Sequence, residues 1–105
     1  MQRIAQLEEE ARAAHADFER ALPTARSTIR GAGGVGTKSW GRAEVAYANL
    51  RSIRARTAVP LAELDTLVAT RSIAGDPVAP IVAARDAVAQ LIEAEDAALR
   101  DLAPL

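Results

Sequence analysis

"GAGGVGTKS", residues 31–39, is the stretch on which the fold of this 105-residue chain turns. Its glycines, its lysine and its two hydroxyl residues suit two different structures. One is a phosphate cradle, in which glycine amides surround an anion and the lysine reaches it from the first turn of the next helix. That cradle needs a buried parallel strand before it and an α/β fold around it. The other is a turn between two helices, where glycine supplies backbone angles that other residues avoid.

The neighbouring residues favour the turn. Gly36 is followed by Thr37 and only then by Lys38, so the GxxxxGK[ST] spacing is not met. The run resembles the phosphate loop of ParA-like nucleotide-binding proteins, but that loop reads GGVGKT and this chain reads GGVGTK. The segment before it, "ERALPTARSTIR" (19–30), is a polar helix tail rather than an apolar strand. No later apolar strand ends in an aspartate that could serve magnesium, so no nucleotide chemistry is expected.

Outward from the turn, helical periodicity covers the chain. In residues 2–30, Ile4, Leu7, Ala11, Ala14, Phe18, Ala21, Ala25 and Thr28 alternate three-four spacing and line one face. Pro23 falls outside that stripe and predicts a bend or local break. Ser39 is the expected N-cap of the second helix, at about 39–74. Its stripe of Ala43, Tyr47, Leu50, Ile53, Thr57, Leu61, Leu64 and Val68 passes Pro60 without losing phase. This favours one helix kinked near Pro60, the alternative being four helices with a break at 57–60. In "AGDPVAP" (74–80), Gly75 suits the left-handed end of helix two, Asp76 the cap of helix three and Pro77 its first turn. The third helix, about 77–103, buries Val78, Ile81, Val88, Leu91, Ile92, Leu99 and Leu102, and Pro104 stops it. The expectation is an all-α, antiparallel up-down-up three-helix bundle forming a single domain over 1–105.

Composition limits the core. Half of the chain is hydrophobic, but 25 residues are alanine and the aromatics are Phe18, Trp40 and Tyr47 alone. Alanine favours helix and brings little apolar area, so the core is thin. Charge is segregated: residues 1–19 carry two basic and five acidic groups, 20–56 eight and one, and 57–105 three and eight. There is no cysteine and no apolar run of the ~20 residues a membrane span takes. No targeting segment is legible either, so the default expectation is cytoplasmic, with an exported mature domain as the alternative.

Candidate sites are few. His15 has no second His or Cys to share a metal, and no Glu-x-x-His pair of a di-iron bundle occurs, so a partly buried or surface histidine is expected. Glu44 and Glu95 lie near the apolar stripes. Glu95 is expected to snorkel at a stripe edge or to pair with an arginine of the basic segment. Arg26, Arg30, Lys38, Ser39 and Arg42 around the turn form a candidate anion-binding set. Against it stands neutralisation by Glu93, Glu95, Asp96 and Asp101, which the returning third helix brings to the same tip. No catalytic, cofactor or metal residues are assigned.

Trp40-Gly41 follows the turn, and Trp40 is expected to cap one end of the core. The turn resembles that of the small helical-hairpin proteins of type VII secretion, which carry Trp-x-Gly between their helices. This chain lacks the intervening residue, and "AGDPVAP" adds a helix, so no family is assigned. The leading expectation is a non-enzymatic structural or protein-interaction module, gaining stability by burying the Ala-lined faces of helices one and three against another copy, as a homodimer, or an unidentified protein partner. The alternative is a small protein that binds an anionic or phosphate ligand through the basic turn 26–42. Neither an enzyme nor a nucleic-acid partner is expected.

Overall fold

A computed structural model describes residues 2–103, which fold as three helices, with no strand among them. The helices are α1 (Gln2–Arg30), α2 (Lys38–Ile73) and α3 (Ala79–Leu102). Each contacts both of the others, forming a slender bundle of 57 × 21 × 15 Å. Residues 31–37 are the expected turn between two helices, with helix rather than strand before them, and Gly36 there takes a φ of 93°.

The predicted stripes are the buried faces. Two clusters fill the interior. Leu7, Ala11, Leu64, Ile81, Ala84, Val88 and Ile92 form one, and Phe18, Ala25, Leu50, Ile53, Leu99 and Leu102 the other. Ion pairs sew the helices together outside these clusters. Arg3 of α1 meets Glu63 of α2, and Asp17 meets Arg56. Arg54 of α2 grips Asp96 of α3, and Arg85 of α3 lies 3.8 Å from Asp65 of α2.

Both internal prolines are absorbed. α1 runs unbroken through Pro23 and α2 through Pro60, so the alternative of four helices with a break at 57–60 does not occur. A proline costs one intrahelical bond, and the apolar contacts on either side of Pro60 outweigh that loss.

The helix ends differ from expectation in three places. The N-cap of α2 is Thr37, not Ser39: its hydroxyl accepts the Trp40 N–H at 3.1 Å and donates to the Gly34 carbonyl at 2.8 Å. Gly75, as expected, is left-handed (φ 80°) and closes α2, with its N–H on the Ser72 carbonyl and the Asp76 N–H on that of Arg71. Asp76, whose N–H closes the end of α2, lies two residues before the cap position of α3 and does not cap it. That helix starts at Ala79 rather than 77, behind Val78, which makes no side-chain cap bond, with Pro80 in its first turn. Pro104, expected to stop α3, lies outside the described residues.

Candidate functional site

Two regions hold polar chemistry: a layer between the two apolar clusters and the basic turn at one end. The layer draws one residue from each helix, His15 from α1, Thr57 from α2 and Glu95 from α3. Each sits where the local pattern puts an inward residue. Thr57 follows Ile53 by four positions, Glu95 lies between Ile92 and Leu99 on the α3 stripe, and His15 adjoins buried Ala14.

Glu95 is fully buried, so it neither snorkels nor pairs with an arginine. Its Oε2 accepts the Thr57 hydroxyl at 3.0 Å and lies 2.8 Å from His15 Nδ1. On its other side, His15 Nε2 is 3.0 Å from Glu19 Oε1. The histidine is partly buried, as expected, and stacks along Phe18 with 2° between the ring planes. Both imidazole nitrogens face carboxyl oxygens, so making both contacts takes two protons shared among ring and carboxyls. Thr57 Oγ1 also reaches the Ile53 carbonyl at 3.3 Å. Glu95 Oε1, by contrast, is buried with no hydrogen-bond partner among the described residues.

A buried carboxyl beside an imidazole can relay a proton, but that requires a cleft admitting substrate. The surface grooves are lined by other residues and do not reach Glu95. Among the described residues no three His, Cys, Asp or Glu side chains form a cation site. The arrangement holds the three helices in one register, since sliding any of them strands a buried polar group. Comparison with family models, with curated proteins and with solved structures finds no match to this chain.

The candidate anion set is divided by the structure. Ser39 Oγ accepts the Gly33 N–H at 2.8 Å and lies 3.2 Å from Thr37 Oγ1, which ties the loop to its own helix start. Arg30 reaches Asp101 at 3.2 Å, beside half-buried Trp40 at the end of the bundle. Arg26 is half-buried on α1. Lys38 and Arg42 both line one open groove of about 800 Å³, with Thr28, Asn49 and an apolar floor of Val45 and Ala46. Neither makes an ion pair among the described residues.

Interhelical neutralisation operates in part. Asp101 serves Arg30 and Asp96 serves Arg54, while Glu93 is exposed on α3 and the partner of Arg56 is Asp17 of α1. The hydrogen-bonded guanidinium of Arg54 holds the Asp96 carboxyl below the usual aspartate range, Arg56 does the same for Asp17, and Arg3 for Glu63. Glu44 is exposed on α2.

The polar layer escaped the sequence reading because its members were weighed singly. The available signal was three polar residues, one on or beside each apolar stripe, each set between larger apolar residues of that stripe.

Proposed function

We propose that this chain is a non-enzymatic helical interaction module that associates with a second copy of itself. Its form is an antiparallel up-down-up bundle with the second helix bent at Pro60. The order of cross-helix pairs supports that topology, with Arg3 against Glu63, Asp17 against Arg56, Arg54 against Asp96 and Asp65 near Arg85. The observation that carries the interaction role is large apolar side chains left in water. Val45, Val59 and Ile73 of α2 are 71%, 67% and 88% exposed. Single exposed aliphatics are ordinary. Three on one helix, all on the face turned away from the other two helices, mark surface that a partner covers. No helix among the described residues is long and apolar enough to cross a membrane.

Light scattering behind size exclusion, from micromolar to millimolar protein at two salt levels, tests this. The expected result is a mass rising toward twice that of the chain. A monomer at every concentration overturns self-association.

A second reading, capture of an anion at the basic turn, is favoured by the convergence of Lys38 and Arg42 on one groove. It expects phosphate to raise the melting temperature of the wild type and not that of Lys38→Ala/Arg42→Ala. An equal response from both proteins removes it.

A further inference from the structure

We propose that the outer face of α2 is the contact between two copies of this chain, laid antiparallel about a two-fold axis level with residue 57. The inference rests on the self-associating reading above and names its surface, which is on α2 and not on the Ala-lined faces of α1 and α3.

From Gly41 to Ile73, positions 41, 45, 48, 52, 55, 59, 62, 66, 69 and 73 are all exposed and all uncharged. Their three-four alternation is the seam of a two-helix coil, and it runs the length of α2 opposite the buried stripe. The exposed faces of α1 and α3 have no such run, being broken by Glu9, Arg12 and Arg20 and by Asp86, Glu93 and Arg100.

Within the seam, side-chain size alternates. Positions 45, 52, 59, 66 and 73 are Val, Ser, Val, Thr and Ile, and those between are glycine then alanine throughout. Turned end for end about residue 57, each larger side chain meets a small one. Val45 faces Ala69 of the second copy, Val59 faces Ala55, and Ile73, the bulkiest, faces Gly41. Nothing lies within 4 Å of where a side chain at Gly41 would begin, so that space is open to a partner.

The flanking charges choose the same arrangement. Toward α1, Arg56 and Glu63 are occupied within the chain by Asp17 and Arg3. Toward α3, Arg51 makes no ion pair among the described residues, and Asp65 is 56% exposed with Arg85 at 3.8 Å. In the antiparallel register Arg51 lies beside Asp65 of the second copy, and the symmetry repeats the pair. A parallel register offers Arg51 no acidic neighbour, setting it beside Arg56 of the other copy. In the antiparallel register Arg56 meets its own counterpart near the axis, with Asp17 of its own chain to neutralise each. Sliding the antiparallel pair by one heptad brings Glu44 to Asp65 and leaves end positions uncovered. The seam, about 48 Å long on one helix, is a small interface, so the dimer is concentration-dependent rather than permanent.

The test compares the mass of full-length wild type and variants by light scattering, with circular dichroism to confirm that each is folded. Val59→Glu sets an unpaired carboxylate beside the two-fold axis and is expected to weaken the dimer by about a hundredfold or more while leaving helicity unchanged. Arg51→Asp is expected to cost about tenfold, with restoration in Arg51→Asp/Asp65→Arg. This pair also serves if Val59→Glu misfolds. Spin labels on Ser72→Cys should lie about 45 Å apart in the dimer, against roughly 10 Å for a parallel pair. A wild-type dimer that Val59→Glu and Arg51→Asp leave intact overturns this surface and spares self-association. A monomeric wild type overturns both, and a short label distance overturns the antiparallel register.

Discussion

Replacing His15 by leucine is expected to destabilise the fold by about 3 kcal/mol, and adding Glu95→Met is expected to recover most of that loss. In the single variant, the fully buried Glu95 carboxyl keeps only the Thr57 hydroxyl, since Oε1 already has no partner among the described residues. Removing one side of a buried polar pair strands the other, which is costlier than replacing both with apolar groups of similar volume. Thr57 tolerates the double change because its hydroxyl retains the Ile53 carbonyl. Urea unfolding of wild type, both singles and the double variant measures the coupling. Near the midpoint, about 1 kcal/mol corresponds to roughly 4–8 °C in a domain of this size, so the single variant should melt well below wild type. A His15→Leu protein as stable as wild type, or a double variant no better than the single, would show that the layer does not couple the helices.

Phe18→Ala should destabilise comparably or more, by about 3–5 kcal/mol, a large share of the ~5–15 kcal/mol typical of a folded domain. Phe18 is the one phenylalanine and the largest fully buried side chain, packed in the cluster that also holds Leu50, Ile53 and Leu99. The cost depends on how far surrounding side chains can move into the space left behind. Neighbouring alanines have no length with which to fill it, and the His15 ring stacked alongside is held by its two carboxyl contacts. Phe18→Leu, which keeps much of the volume, should lose less than about 2 kcal/mol. Thermal and urea unfolding of the two variants check the ranking. Equal, small losses would mean that the cluster repacks freely and that Phe18 is not its anchor.

The inward stripes were legible because helical periodicity is a local property. Leu7, Ala11, Ala14 and Phe18 are spaced to share a face whatever they pack against, and all are buried. The same holds for Ala43, Leu50, Ile53, Thr57 and Leu64 in α2. Glycine at a left-handed helix end is equally local, which is why Gly75 was read correctly. Cap assignments failed where two residues competed for one role. Thr37 and Ser39 can each cap the start of α2, and only the path of the turn puts the Thr37 hydroxyl under the Trp40 amide and that of Ser39 under Gly33. Asp76 failed as a cap because α3 starts at Ala79, which puts Val78 and not Asp76 in the cap position.

Sequence alone determined the helical class, the faces that each segment buries and the glycine-rich turn between the first two helices, since each follows from spacing within one segment. Three helices or four at Pro60 stayed open until the fold joined them. Tertiary structure decided which segments meet. It took residues 80 apart in the chain, His15 and Glu95, and closed them to 2.8 Å with Thr57 between clusters of aliphatic side chains. It also turned one of the two uncharged faces of α2 inward and left the other, through Val45, Val59 and Ile73, in water. Periodicity identifies a face that can be buried. Which face is buried depends on the other helices of the chain, because burial is a property of the pair and not of the helix.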